Sequence, residues 1–477
     1  MSTNFSTRLE SWIKNEKKAL EIITNATKLY HDNAVELILF RRKLVDKSVT
    51  EVINDHEYAR KFAQFNVSID DSLAISRVLS TLDLAPSKID IGKLGHEWQQ
   101  EKNEYKSLDE FLKDKLNKFI GKDKLNMKPK DVVLYGFGRI GRLAARILTE
   151  QVGVGAQLRL KAIVVRKSGA DDLVKRASLL RKDSVHGKIN GTVSVDEENN
   201  LLIVNGNVIH VIYASHPKEI DYTQYDINDA LIIDNTGMWR TREDLMNHLQ
   251  AKGASQVMLT APVSGDVENV VYGINHETVD IQNEKIFSAA SCTTNCIAPV
   301  IKLLEDNYGI EDGHIETIHA YTNDQNLIDN IHKKARRGRS AALNMVLTST
   351  GAAKAAIKIF PHLKGKLTAS AVRVPTPNAS IAILCMNLKN AVNGGMDSLN
   401  EMFRQAALHG DLVEQVGYSS SSEHVSTDVV GNTSATEIDS LNTIVSENGK
   451  RVVVYAWYDN EYGYTHQVIR YAKHIAK

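Results

Sequence analysis

Val132-Val133-Leu134-Tyr135-Gly136-Phe137-Gly138-Arg139-Ile140-Gly141-Arg142 is the stretch on which the fold turns. Residues 132–135 are a short apolar run that reads as a strand, and the glycines after it stand in the order G-x-G-x-x-G where a helix opens. In that setting each glycine has a task. Gly136 permits the tight turn, Gly138 lets a pyrophosphate approach the backbone, and Gly141 allows close packing of the helix, whose N-terminal amides face the anion. The pattern alone is weak; between a strand and a helix it is strong. Phe137, Arg139 and Ile140 lie inside it and join the glycines as candidate cofactor-binding residues.

Outward from this turn, short β-branched runs at 132–135, 158–165, 201–204, 208–212, 230–234 and 256–260 alternate with helical segments. That alternation implies an α/β, doubly wound, mostly parallel sheet, the dinucleotide-binding architecture. After Cys292 the pattern gives one helix, then strands near 315–320, 371–374, 380–388 and 452–457. No internal repeat or low-complexity tract appears, and the serines at 419–422 read as a loop.

Residues 1–127 have another texture. They hold one proline, Pro86, and three glycines, Gly92, Gly95 and Gly121, a scarcity of breakers that suits helices. Leu9, Trp12, Ile13, Leu20 and Ile23 recur at helical spacing, as do Leu108, Phe111, Leu112, Leu116 and Phe119 behind a capping-box pair, Ser107 and Glu110. A mainly helical N-terminal domain is expected, whose apolar faces pack on each other, on the rest of the chain or on a partner. The lysine-rich stretch 122–130 reads as a connector, with the boundary near Met127.

At 477 residues the chain is long for one core, so two or three domains are expected. The 58 basic residues balance 58 acidic ones, which argues against a dedicated nucleic-acid or acidic-membrane binder. The polar start and the lack of an 18-residue apolar stretch lead to the expectation of a cytoplasmic protein. Three cysteines, Cys292, Cys296 and Cys385, are too few for a disulfide framework and leave thiol chemistry available.

Cys292 sits in SCTTNC (291–296), just before a helix-compatible stretch whose end amides favour a thiolate, and His319 opens HAYTNDQ (319–325) on a following strand. A cysteine activated by a histidine attacks carbonyl carbon, which makes the chain a candidate thioester-forming enzyme. The ordinary alternative is a buried cysteine and an unrelated histidine. Cys296 lacks further ligands at suitable spacing, so no metal is expected, and Cys385 reads as a strand residue.

With GFGRIGR (136–142), DSVHG (183–187), SCTTNC, HAYTNDQ, TSTGAAK (348–354), RVPTP (373–377) and WYDNEYGY (457–464) in this order, the sequence from about Val132 to the C-terminus resembles the phosphorylating glyceraldehyde-3-phosphate dehydrogenase family. The resemblance implies a dinucleotide-binding domain over 128–291, an α+β catalytic domain with an antiparallel sheet over 292–456, and a last segment, 457–477, returning to the first. It implies reversible oxidative phosphorylation of D-glyceraldehyde 3-phosphate with NAD or NADP, inorganic phosphate as second substrate, and a homotetramer. Cys292 takes the nucleophile's place and His319 the base's. Ser291, Arg337, Thr350 and Gly351 match the site for attacking phosphate, Thr322 and Arg373 that for substrate phosphate, and Thr293 lies beside them. Guanidinium suits both tasks, since it binds phosphate oxygens through a charged fork. The other cations of 333–339 read as a solvated face or subunit contact. Thr236, Gly237, Thr260, Asn460 and Tyr464 match the cofactor lining; for Thr236 and Thr260 a plain turn or cap role is the alternative. Erythrose-4-phosphate dehydrogenase, or a regulatory protein working through its helical extension, are the other readings.

One departure concerns the cofactor. Members that prefer NAD carry an acid at the end of the second strand, whereas no acid stands between Glu150 and Asp171 here; Arg166, Lys167 and Ser168 fill the turn. The loop also has Asn330-Ile331 where the family's NAD-associated Leu-Pro pair is usual. Cations and a hydroxyl suit a 2′-phosphate, and a solvated turn that tolerates both cofactors is the alternative.

Overall fold

The computed structural model describes residues 5–62, 65, 67–121, 128–151 and 157–476. The chain divides into two compact units, Met1–Pro129 with Gln151–Gln157, and Lys130–Glu150 with Leu158–Lys477. The expected boundary at Met127, and most of the expected connector, lie outside the described residues.

The first unit is mainly helical, with helices Phe5–Asn33, Val49–Phe62, Ile69–Leu79, Ile91–Glu101 and Leu108–Lys115. It also holds a three-stranded sheet that the breaker count did not foretell: Val35–Leu39 lies between Arg42–Lys43, antiparallel, and Ser87–Asp90, parallel. Its centre is five residues, VELIL, with Val35, Leu37 and Leu39 buried, too short a period to stand out beside long helices. The first helix keeps the expected period but buries another face. Ala19, Ile22, Ala26 and Leu29 are covered, whereas Leu9, Trp12, Ile13 and Leu20 are 41–58% exposed. Ser107 caps its helix by accepting the Glu110 N–H at 3.2 Å, but the Glu110 carboxylate takes the Lys106 N–H, so the capping box is half formed.

The second unit contains two sheets. In the first, Ile286–Ser288, Ala254–Leu259, Ala230–Asp234, Lys130–Tyr135, Leu158–Val165 and Asn207–Tyr213 run parallel in that spatial order, and Leu201–Val204 and Val193–Asp196 extend it antiparallel. Helices Arg139–Glu150 and Tyr462–Ile475 cover one face through Ala144, Leu148, Val468 and Ala472, and helix Arg242–Leu249 packs on the other through Leu245. The last helix therefore returns to the first sheet. Asp234 pairs with Tyr135 on one side and Leu259 on the other, so the turns after Tyr135, Asp234 and Leu259 leave one edge of the sheet together. The order reverses there, where open α/β sheets bind their ligands.

The second sheet runs Val346–Thr348, Leu367–Val374, Ile310–Ala320, Ser380–Leu388, Arg451–Tyr458, Thr436–Asp439, Val416–Ser419. It is mixed rather than wholly antiparallel, because Ile310–Ala320 with Leu367–Val374, and Val416–Ser419 with Thr436–Asp439, run parallel. A parallel neighbour needs a long crossover, and the chain between Ala320 and Leu367, which includes helix Ala352–Ile359, supplies one. Helix Cys292–Tyr308 lies against this sheet, with Cys296 buried beside Thr436 and Ala456.

Candidate active site

The strand Ile286–Ser288 ends in Ala289-Ala290-Ser291, and Ser291 caps the helix that begins at Cys292 by accepting the Thr294 N–H at 3.1 Å. Cys292 is thus the first residue of a helix, where unpaired amides and the helix dipole favour negative charge on sulfur. His319 is the penultimate residue of Ile310–Ala320, and its Nε2 lies 3.6 Å from Cys292 Sγ. The parallel register sets Arg373 opposite His319. Arg373 Nη1 donates to the Ala320 carbonyl at 2.7 Å and lies 2.8 Å from His319 Nδ1, which itself lies 2.7 Å from that carbonyl. Carbonyl and guanidinium both meet Nδ1, and in the tautomer that gives Nδ1–H to the carbonyl, Nε2 turns its lone pair to the thiol, as a base must.

Burial pushes the Cys292 thiol up, although the Arg373 charge and nearby hydrogen bonds oppose it. Burial, and then the Arg373 guanidinium, push His319 down to about 4. Burial thus disfavours the charged form of each group taken singly, while the helix start and their mutual approach favour the charged pair.

Two of the expected phosphate residues, Arg337 and Thr322, meet at an acid that the sequence reading did not single out. The Asp324 carboxylate accepts from Arg337 and from the Thr322 hydroxyl, while Arg337 Nε donates to Thr348 Oγ1 at 3.0 Å. Asp324 stands in HAYTNDQ, but nothing in its spacing foretells a bond to a residue thirteen positions on. Arg373 Nε is buried without a partner among the described residues, a donor free for an oxyanion. Ser291 shares a hydrogen bond with Thr294, Thr293 Oγ1 lies 3.0 Å from the Tyr458 hydroxyl, and Thr350 Oγ1 accepts the Ala352 N–H. Gly351 precedes helix Ala352–Ile359, and a Cβ on it would meet open space.

At the other end, Gly136 has φ +94°, and a Cβ there would lie 2.9 Å from Thr236 Cγ2; one on Gly141 would lie 2.3 Å from the Gly136 carbonyl oxygen. A Cβ on Gly138 would meet nothing within 4 Å. Two glycines are thus pressed against protein and the middle one faces open space, as a pyrophosphate requires. Asn235 Oδ1 and Trp239 Nε1, on either side of Thr236 and Gly237, are buried without partners among the described residues. These features fit a dinucleotide. The match to family models decides the lineage: residues 130–242 match the model described as glyceraldehyde 3-phosphate dehydrogenase, NAD binding domain, and residues 291–460 the model for its C-terminal domain.

The chain belongs to the glyceraldehyde-3-phosphate dehydrogenase family. It is an oxidoreductase with an NAD-binding domain. It is 51% identical over 451 residues to a glyceraldehyde-3-phosphate dehydrogenase-like protein of Pseudomonas aeruginosa, covering 94% of this chain and 96% of that protein. It is 41% identical to glyceraldehyde-3-phosphate dehydrogenase 1 of Bacillus subtilis and 39% to the Geobacillus stearothermophilus enzyme of the same family, each over 72% of this chain and 98% of the relative. The Pseudomonas match thus extends well into the N-terminal unit. No helix among the described residues is long and apolar enough to cross a membrane.

Within this dehydrogenase site, several expected cofactor residues carry structural bonds. Arg139 forks onto Asp183 at 3.0 and 3.2 Å and pairs with Glu461, tying three family motifs together. Phe137 is buried in the core, and Ile140 packs against it. The Tyr464 hydroxyl donates to the Ala290 carbonyl at 2.9 Å, which anchors the turn before Cys292. Asn460 Oδ1 accepts from Ser380 Oγ at 2.9 Å, and that oxygen also accepts the Ala320 N–H at 3.0 Å, so Ser380 links Asn460 to the histidine strand. Ser380 had no local signal in the sequence, and Glu461, though inside WYDNEYGY, had none for its pairing with Arg139. In the turn after Leu158–Val165, Arg166 and Lys167 are exposed, with Lys167 5.4 Å from the Tyr213 ring centre. Ser168 gives its N–H and hydroxyl to Asp172, which Arg176 holds at 2.6 and 3.0 Å; burial opposes the charge, yet these partners keep Asp172 at about 2. The expected help of Ser168 toward a 2′-phosphate is thereby reduced, and the two cations remain.

Proposed function

We propose that this chain catalyses the reversible oxidative phosphorylation of D-glyceraldehyde 3-phosphate to 1,3-bisphosphoglycerate through a thioester on Cys292. The observation that carries this reading is the 3.6 Å approach of His319 Nε2 to a helix-terminal Cys292 Sγ, with Arg373 fixed beside it by strand register. Cys292 loses its proton to His319 as sulfur bonds to the aldehyde carbon, and the carbonyl oxygen becomes a hydroxyl. His319, neutral again, takes the hydroxyl proton as the carbon is oxidised to the thioester. NAD or NADP, when bound, would supply the hydride acceptor for that oxidation. Gly136, Gly138, Gly141 and the Thr236–Gly237 turn would hold its phosphates and ribose, and Asn460 its carboxamide. Arg373 and Thr322 bind the substrate phosphate; Arg337, Thr350, Gly351 and Ser291 bind inorganic phosphate, whose oxygen attacks the thioester carbon as the C–S bond breaks. Asp324 orients Arg337 and limits its charge until an anion arrives.

Leu327, Ile328, Ile331, Leu343 and Met345 are 73–96% exposed along one loop, an apolar surface that supports association of subunits, and the family resemblance supports a homotetramer. The domains are read as 128–291, 292–456 and 457–477, with 1–127 an extension and the protein cytoplasmic. The test of the reaction is a steady-state assay with glyceraldehyde 3-phosphate and NAD. Reduced cofactor should form continuously with inorganic phosphate and slow at least about tenfold without it; equal rates would point to hydrolysis of the thioester and sink the phosphorylating reading.

NADP should serve as well. No acid repels a 2′-phosphate in this turn, because Asp172 is buried and engaged, and Arg166 and Lys167 are exposed where they can meet it. Solvent weakens such contacts, so kcat/KM for NADP should come within roughly a hundredfold of that for NAD, and the Arg166→Ala, Lys167→Ala double variant should lower the NADP value several-fold. A preference for NAD of roughly a thousandfold, or an unchanged ratio in the double variant, would contradict this.

A further inference from the structure

The buried pair Asp234–His248 is not used in the chemistry above, yet it joins the two threonines read as cofactor contacts. Asp234 ends the strand Ala230–Asp234 and is fully buried. Its Oδ1 accepts both the Thr236 N–H and the Thr236 hydroxyl at 2.7 Å, and its backbone carbonyl accepts both the Thr260 N–H and the Thr260 hydroxyl at 3.0 Å. One residue thus fixes the Thr236–Gly237 turn and the first residue beyond the neighbouring strand. The turn in turn abuts the first fingerprint glycine, since Thr236 Cγ2 occupies the space where a Gly136 Cβ would stand.

Oδ2, the other carboxylate oxygen, faces His248 Nε2 at 3.0 Å, and both side chains have no solvent exposure. An ionised carboxylate only accepts, so Nε2 is the donor across this pair. Nδ1 is buried without a partner among the described residues, and Tyr135 closes the ring edge-on at 4.7 Å between centres. A histidine that serves only to fill volume would be cheaper as leucine. This one leaves a buried nitrogen unsatisfied and keeps a single proton on one oxygen of the residue that shapes the cofactor edge.

We infer that His248 is a positioning residue for the dinucleotide: through Asp234 it holds the Thr236 and Thr260 turns in the geometry that receives the cofactor. The inference rests on reading those turns as cofactor contacts. His248→Leu keeps the volume and removes the donor, leaving Oδ2 buried without a partner, and the carboxylate then turns away from Thr236 to find one.

The experiment measures the equilibrium Kd for NAD, the KM for NAD and for the aldehyde, and kcat at saturation in the full chain. For His248→Leu, Kd and KM for NAD should rise about tenfold while kcat and the aldehyde KM stay within about twofold. His248→Gln, which returns an N–H donor, should recover most of the loss. Val257→Ala, in the same core, should lower Tm without moving the NAD terms, which separates positioning from general weakening. If the leucine variant fails to fold, His248→Asn, whose shorter amide falls short of Asp234, should show the same rise. An unchanged Kd for NAD in a folded His248→Leu or His248→Asn, or a parallel rise in the aldehyde KM, overturns the inference. Thr236→Val distinguishes the underlying reading: an unchanged NAD affinity there would mean that the turn does not contact the cofactor at all.

Discussion

Cys292→Ser is expected to lower turnover by at least about four orders of magnitude while leaving the Kd for NAD within about twofold. Serine fits the volume and keeps the helix start, so the fold and the cofactor edge stay as they are. What is lost is acidity. Burial already pushes the Cys292 thiol up, and a hydroxyl starts several units higher, beyond the reach of a neutral His319. Its alkoxide is also the poorer leaving group when phosphate attacks. Iodoacetamide should inactivate the wild type in step with alkylation of this one residue; turnover that survives full alkylation of Cys292 would rule out the sulfur as nucleophile. Cys296 does not substitute for it, because burial holds its thiol at about 12 and it lies wholly inside the helix–sheet contact.

The second large effect is that of His319→Asn, expected to cost roughly 10²–10⁴-fold in turnover and to slow alkylation of Cys292. The amide can occupy the ring's space and keep a bond to the Ala320 carbonyl, but it cannot take a proton. The same substitution changes the acid limb of stability in a calculable direction. His319 titrates at about 4 in the folded chain against an ordinary value of 6.5, so between these values the unfolded chain binds the proton more readily. Its contribution is complete above about pH 6.5 and is lost as pH falls toward 4. The asparagine variant should therefore lose less stability than wild type across that window. An equal loss in both chains, measured by denaturant melts, would show that His319 does not titrate as its burial and the Arg373 charge require.

Much of the fold was legible because it follows from local periodicity. The runs 158–165, 201–204, 230–234 and 380–388 are strands with those same limits, and the glycine turn sits between strand and helix as its spacing demands. Less legible were features set by partners far away in sequence. Arg139 reads as a cofactor residue inside the fingerprint, but its charge is met by Glu461, 322 residues on, a pairing no window contains. Ser380 acts through two long-range bonds, to Asn460 and from the Ala320 N–H, and Asp324 through one, from Arg337; neither has a pattern of its own. The first helix shows how a correct period can still mislead: its large apolar residues look like the buried face, yet small Ala19 and Ala26 let the packed helices approach there, and Trp12 and Leu20 stay outside. The parallel pairing of Ile310–Ala320 with Leu367–Val374 likewise depends on the crossover rather than on the strands it joins.

The central claim is that carbon is held on Cys292 between oxidation and phosphorolysis. Its most direct test is a rapid-mix experiment in which enzyme, glyceraldehyde 3-phosphate and NAD are combined without inorganic phosphate, then quenched in acid and digested. A burst of about one reduced cofactor per active site should accompany an acyl adduct, with the mass of the 3-phosphoglyceroyl group, on the peptide carrying Cys292, and added phosphate should remove the adduct and restore turnover. A burst with unmodified Cys292, or an adduct on another residue, would contradict the account.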